Sequence, residues 1–215
     1  MMVRCPKCAE AQAPRLCCIR CETPLGAELD AFAAIGLERK LEIDSATLEQ
    51  RYHQLGRKVH PDRFAAESAS IRAASLKSTA NLTRAYRALR DPVSRGLYWL
   101  ELHGRTLSEG NQSVPAELAA TVFEIQEQLS ELREAVNAAD TARLRTDVEG
   151  HREEVQATVN TALAELGANF AAWDQGGREN NEELFTVLKL VLARIAYLRT
   201  LMRDIGRTLE TAQAA

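Results

Sequence analysis

All five cysteines of this 215-residue chain fall within its first 21 residues. Cys5-Pro6-Lys7-Cys8 and Cys18-Ile19-Arg20-Cys21 form two C-x-x-C pairs separated by nine residues. Each pair can close a tight turn that presents two thiolates. Two such turns facing each other make a closed four-sulfur site, which suits structural zinc, with iron as the less favoured occupant. Cys17 is the odd thiol and stands as an alternative ligand to Cys18. A four-ligand site leaves no open position, so a structural or docking role is expected rather than catalysis. A segment of this size cannot bury a core, and the metal would supply most of its folding free energy.

A second stretch does no chemistry itself but can present polar groups to a partner. His60-Pro61-Asp62 lies between two helical patterns, and Pro61 disfavours helix at His60. Asp44 or Ser45 can cap the helix before it, where Leu48, Tyr52, Leu55 and Val59 mark one buried face. The opposite face carries Arg51, Arg57 and Lys58. Only Glu49 is acidic between Ser45 and His60, so this helix has a local charge of +2. The helix after the tripeptide runs from about Glu67 to Arg90, with the stripe Ile71, Ala74, Leu82, Ala85, Tyr86 and Leu89, and Asp91-Pro92 ends it. Two antiparallel helices joined by a short loop put the tripeptide at an exposed tip.

Further elements frame this hairpin. Leu29, Phe32, Ala33 and Ile35 before Gly36 predict a short helix with a glycine C-terminus. Val93 to Gly104 is amphipathic, with Leu97, Leu100 and Leu102 expected to be buried and Tyr98 and Trp99 expected in a core joining two lobes. Residues 105–115 read as a polar linker.

Three more helical patterns then predict an antiparallel bundle. The first, Pro115 to Asn137, carries Leu118, Val122, Ile125, Leu129, Leu132 and Val136. The second begins near Asp140 and carries Leu144, Val148, Val155, Val159, Ala162 and Leu166, with a turn at Asn169, Gly176 and Gly177 and with His151 as a boundary residue. The third carries Leu184, Leu188, Val191, Ile195, Leu198, Met202, Ile205 and Leu209. On the first bundle helix, Ala119, Ala120 and Phe123 lie beside the core stripe, and Glu124, Glu127 and Glu131 continue that side. On the third, Tyr197 and Leu201 are similarly offset. An apolar patch with an acidic rim is a candidate partner surface. Five glutamates and one arginine give Pro115 to Asn137 a local charge of −4, opposite to the basic helix, so the two surfaces suit different partners.

Composition bounds the remainder. Only 5% of residues are aromatic and alanine is abundant, which favours helix over strand. A net charge of −3 carries no nucleic-acid signature, and no apolar run is long enough to span a bilayer. The N-terminal residues lack the pattern of a signal or transit peptide, which points to the cytoplasm, with a mature mitochondrial matrix protein as the alternative.

The basic helix, His60-Pro61-Asp62 followed by Arg63-Phe64, and the helix with Asn81-Leu82-x-x-Ala85-Tyr86-x-x-Leu89 together resemble a J domain, the module that stimulates ATP hydrolysis by heat-shock 70 chaperones. The run Arg95-x-x-Tyr98-x-Leu100-x-Leu102-His103-Gly104 resembles the narrower HscB/Jac-type J proteins of iron–sulfur cluster assembly, some of which also carry two N-terminal C-x-x-C turns. The resemblance implies an all-α chain with a four-cysteine zinc-knuckle segment at 1–26, a J domain at 27–104, a linker at 105–114 and a scaffold-binding bundle of the HscB oligomerisation type at 115–215. It implies a non-enzymatic co-chaperone, monomeric or weakly dimeric, that contacts neither nucleic acid nor membrane. Its HscA- or DnaK-type partner would dock on His60, Pro61, Asp62, Arg51, Tyr52, Arg57 and Lys58. The cluster scaffold IscU would bind Ala119, Ala120, Phe123, Glu124, Glu127, Glu131 and Tyr197, with the metal on Cys5, Cys8, Cys18 and Cys21. The two alanines are smaller than the bulky residues associated with that patch. The competing readings are a J protein with another client, a redox or metal-dependent enzyme built on the cysteines, and a nucleic-acid-binding zinc ribbon.

Overall fold

The computed structural model describes residues 2–107, 118–135, 137–176 and 182–214. It divides into two compact units, Met1–Leu102 and His103–Ala215.

The first unit opens with a small antiparallel hairpin, β1 (Val3–Arg4) and β2 (Ala11–Gln12), in which Val3 pairs with Gln12. Helix α1 (Ala31–Ile35) follows. The Asp30 carboxylate caps its first turn by accepting the Ala33 N–H at 2.9 Å, and Gly36 closes it at φ 73°. Helix α2 (Ser45–Val59) is capped by Asp44, a single 3₁₀ turn spans Pro61–Phe64, and α3 (Ala69–Arg90) is capped by Ser68. Pro92 starts α4 (Pro92–Leu102), where Asp91 accepts the Ser94 N–H at 2.8 Å.

Helices α2 and α3 pack together, with Leu48 and Val59 of α2 and Ile71, Leu82, Ala85 and Leu89 of α3 all buried. Tyr52 is half-buried because it stacks on Tyr86, with centroids 4.2 Å apart. In α4 the buried face is Val93, Arg95, Gly96, Trp99 and Leu100, and Leu97 is 40% exposed, contrary to the expectation for it. Trp99 sets that face by packing edge-on against Phe32 of α1, which turns Leu97 outward. The Tyr98 hydroxyl accepts the Ala31 N–H at 2.8 Å, so both aromatics fasten α4 to α1.

The second unit is a three-helix bundle of α5 (Ala119–Glu134), α6 (Ala138–Gly176) and α7 (Glu182–Ala214). One apolar cluster runs through it: Val122, Ile125, Leu129 and Leu132 from α5; Leu144, Val148, Val155 and Val159 from α6; Leu198, Leu201, Ile205 and Leu209 from α7. Pro115, Gly177 and Val136 lie outside the described residues. Three details differ from the pattern reading. Helix α6 does not turn at Asn169, because Phe170 and Trp173 continue its stripe and are buried. Leu201 belongs to the core, because α7 packs against both α5 and α6 and so buries a face wider than one stripe. Arg105, read as linker, stacks over the Phe185 ring at 4.0 Å and donates to Glu182 at 2.8 Å. His151 is a half-buried boundary residue 3.2 Å from Glu154.

Candidate functional site

The two C-x-x-C turns are built alike. In the first, the Cys5 N–H donates to the Glu10 carbonyl, the Ala9 N–H to the Cys5 carbonyl, and the Lys7 N–H to the Cys5 sulfur. In the second, thirteen residues on, the Cys18 N–H donates to the Thr23 carbonyl, the Glu22 N–H to the Cys18 carbonyl, and the Arg20 N–H to the Cys18 sulfur. Each turn ends on a non-glycine residue with positive φ, Ala9 at 59° and Glu22 at 55°. Left-handed backbone is unfavourable for such residues, so the same local cost is accepted twice to obtain the same sulfur-presenting turn.

The turns face each other. The sulfurs of Cys5, Cys8, Cys18 and Cys21 all lie within 4.8 Å of one another, with Cys5–Cys21 and Cys8–Cys21 at 3.5 Å and Cys8–Cys18 at 3.6 Å. This donor set fits a metal ion held by four thiolates. Cys18 is in the group and Cys17 is not; Cys17 instead bridges to Pro24, and burial holds its thiol up at about 11. Burial also opposes ionisation of Cys18, but the Arg20 and Cys21 N–H groups and the Gln12 amide, 3.1 Å away, outweigh it and bring that thiol down to about 6. Hydrogen bonding to the Thr23 hydroxyl and backbone lowers Cys21 as well. At Cys8 the backbone bond from Glu10 favours the thiolate, yet lost solvation and hydrogen bonds with Cys21, Cys5 and Cys18 push it up to about 12. Hydrogen bonding thus favours the thiolate at Cys18 and Cys21, whereas lost solvation and neighbouring sulfurs disfavour it at Cys8.

The His60-Pro61-Asp62 loop emerges from the buried Val59. The Val59 carbonyl accepts from Ser75 Oγ at 2.7 Å and Thr79 Oγ1 at 3.1 Å, both on α3. His60 Nδ1 accepts the Asp62 N–H at 3.3 Å and so caps the 3₁₀ turn, while the Asp62 side chain is 89% exposed. Arg63 reaches back to the carbonyls of Arg57 and Lys58 at 3.1 and 3.2 Å and caps the end of α2. Of the four other residues assigned to this face, Arg57 is exposed, Arg51 also donates to the Gly36 carbonyl, Tyr52 is tied up with Tyr86, and Lys58 is paired with Glu22 at 2.8 Å.

On α5, Ala119, Ala120, Phe123, Glu124, Glu127 and Glu131 are all exposed, and Phe123 is 71% so. Phe123 therefore does not widen the core. Tyr197 differs: it is half-buried against the bundle core.

Pattern reading did not find the residues that hold the first unit together. Ser75 and Ser78 are buried on the same face of α3 as Ile71, Ala74 and Leu82, and the one available signal was small polar residues in step with that stripe. Ser78 donates to the Leu16 carbonyl and accepts the Gly26 N–H, and Asn81 donates to the Ala27 carbonyl at 2.7 Å. Gly26 has φ +59°, and a Cβ there would stand 3.1 Å from the Ala74 Cα, so glycine avoids both left-handed strain and a tight backbone contact. The pairs Lys7–Glu67 and Lys58–Glu22 span 60 and 36 residues and have no local signature.

A helical hairpin with an exposed His-Pro-Asp turn, followed by a three-helix bundle, is the arrangement that the resemblance to J-domain proteins implies. Comparison with known proteins agrees. The iron-sulfur cluster co-chaperone protein HscB of Mus musculus is 31% identical over 162 residues, 74% of this chain and 63% of that protein. The co-chaperone protein HscB homolog of Bordetella pertussis is 32% identical over 157 residues, covering 73% of this chain and 89% of the relative. The crystal structure of human co-chaperone protein HscB superposes with a TM-score of 0.65 at 26% identity over 95% of this chain and 97% of that one. No family model matches the chain. The chain belongs to the HscB co-chaperone family.

Proposed function

We propose that this protein is a co-chaperone of iron–sulfur cluster assembly that stimulates the ATPase of an HscA- or DnaK-type heat-shock 70 chaperone and brings it the cluster scaffold IscU. The observation that carries the reading is the His60-Pro61-Asp62 loop, exposed at the end of the basic helix α2 in a chain of this family. Asp62 makes the critical polar contact, Pro61 fixes the turn, and His60 caps it. Arg57 and Lys58, with Arg51 and Tyr52, form the docking face toward an acidic surface. These residues transfer no group; the nucleotide belongs to the chaperone. Phe123, Ala119 and Ala120, rimmed by Glu124, Glu127 and Glu131 and flanked by Tyr197, receive the scaffold. Joining the two surfaces in one chain raises the effective concentration of scaffold at the chaperone.

The four cysteines hold zinc in this reading. Zinc–sulfur bonds of about 2.3 Å in a tetrahedron place sulfurs about 3.8 Å apart, close to the spacings in the cluster. Reduced thiolate ligands suit the cytoplasm. Among the described residues no helix is long and apolar enough to cross a membrane.

The test is the steady-state ATPase rate of a heat-shock 70 chaperone. Wild-type protein stimulates it; Asp62→Asn returns it to the basal rate and still binds IscU. Stimulation by Asp62→Asn equal to wild type contradicts the reading.

A further inference from the structure

We infer that the cysteine cluster is a clamp on the His60-Pro61-Asp62 loop, so that metal occupancy governs how well ordered the loop is when it meets the chaperone; this rests on the chaperone reading above. One tether comes from each metal-binding turn. The second turn ends at Glu22, whose carboxylate meets Lys58 Nζ at 2.8 Å, two residues before His60. The first turn carries Lys7, whose ammonium meets Glu67 Oε1 at 2.7 Å, five residues after Asp62. The segment 58–67 is thus held at its entry and its exit by opposite halves of one cluster. The inner wall is α3, where Ser75 and Thr79 hold the Val59 carbonyl and Ser78 holds Leu16 and Gly26 of the cysteine segment.

Both tethering side chains depend on closed turns. Lys7 lies between Cys5 and Cys8, with its N–H on the Cys5 sulfur at 3.4 Å. Glu22 follows Cys21 and is kept in left-handed backbone by its N–H bond to the Cys18 carbonyl at 3.0 Å. An ion that draws four thiolates together sets both turns and therefore both tethers. Neither exposed ion pair adds much to global stability. Their effect is local: they restrict a loop whose own hydrogen bonds, Arg63 N–H to the His60 carbonyl at 3.1 Å and Ala65 N–H to the Asp62 carbonyl at 3.4 Å, are short-range and solvent-exposed.

The experiment uses the full-length zinc-loaded protein and reads two quantities: amide exchange at Arg63, Ala65 and Glu67, and the concentration giving half-maximal ATPase stimulation. Lys7→Gln and Glu67→Gln, which remove one tether without touching a ligand or the docking face, each raise exchange about two- to fivefold, the factor expected of one exposed ion pair. They raise the half-maximal concentration by a similar factor and leave maximal stimulation and bound zinc unchanged. The swapped pair Lys7→Glu with Glu67→Lys restores both readouts, which a purely structural role for either residue does not predict. Chelation of zinc gives a larger rise in loop exchange than either substitution. Unchanged exchange in Lys7→Gln, or failure of the swap to restore it, overturns the clamp. A wild-type protein whose exchange responds as described but which stimulates no chaperone overturns the chaperone function and not the clamp.

Discussion

The two units each present an exposed surface, and they hold it in different ways. In the second, Phe123 stands on a helix fixed by a continuous apolar core, with Val122 and Ile125 of the same helix buried beneath it. The surface rests on the packing of α5 against α6 and α7, with Tyr197 of α7 partly buried on the same core. In the first, the His60-Pro61-Asp62 loop has no buried side chain of its own. Its flanks are held by α3 hydrogen bonds to the Val59 carbonyl and by ion pairs of Lys58 and Glu67 with Glu22 and Lys7, which adjoin the cysteine cluster more than thirty residues away in sequence. The difference teaches that an exposed surface on a packed helix is held by the apolar core beneath it, whereas one on a loop is held by polar contacts from distant residues. The bundle surface should therefore tolerate change elsewhere, and the loop should not.

The sharpest way to break this contrast is to remove the metal proposed for the four-cysteine cluster. Structural zinc in small domains contributes about 10–16 kcal/mol of binding free energy at neutral pH. Chelation is expected to abolish exchange protection across Cys5–Leu25 and to leave protection in Ile125–Leu132 and Leu198–Leu209 as it was. Residue-resolved hydrogen exchange checks this, and equal losses in both regions would show that the units do not differ in the way described.

The reciprocal perturbation is Leu129→Ala. Leu129 is fully buried between the bundle helices, so truncation should cost about 2–5 kcal/mol. Denaturant unfolding should show that loss in the transition of the second unit alone, with metal content and exchange in the 58–67 loop unchanged. Gly26→Ala should be smaller: left-handed backbone costs an alanine about 1–2 kcal/mol, and its Cβ would press on the Ala74 backbone. Its effect is expected in the first unit, as a lower midpoint for thermal loss of structure in the cysteine segment.

The same contrast explains what could be read from the chain alone. Helix positions were legible because apolar residues recur at the helical period and because Asp30, Asp44, Gly36 and Pro92 mark ends. The four clustered cysteines were legible because C-x-x-C spacing is a local property that already selects Cys18, although setting aside Cys17 as its alternative required the fold. His60-Pro61-Asp62 was legible as a turn, and its neighbours carried the resemblance. What was hidden is long-range and polar. Lys7 and Glu67 look like solvated charges in sequence, and Arg63 gives no sign that it caps α2. Leu97 and Leu201 were assigned wrongly because a stripe predicts one buried face, whereas Trp99 turned one helix and two neighbours widened the burial of another. Helix α6 ends at Gly176, as the turn glycine suggests, but Asn169, which reads as a turn residue, stays helical and donates its side chain to the Leu184 carbonyl at 3.4 Å.

The smallest expected effect on folding belongs to Phe123→Ala, within about 0.5 kcal/mol because the ring is exposed. Its effect on partner binding should be large for the same reason: an exposed aromatic anchor contributes about 1–2 kcal/mol or more to an interface, roughly a tenfold loss of scaffold affinity. That separation makes it the most direct probe of two surfaces acting together. The decisive measurement is chaperone ATPase stimulation with and without scaffold, comparing wild type and Phe123→Ala. The account predicts that wild-type protein and scaffold together stimulate beyond the sum of their separate effects, and that Phe123→Ala keeps the scaffold-independent stimulation while losing the excess. If Phe123→Ala lowers both parts equally, or wild type shows no excess, the two-surface account is contradicted.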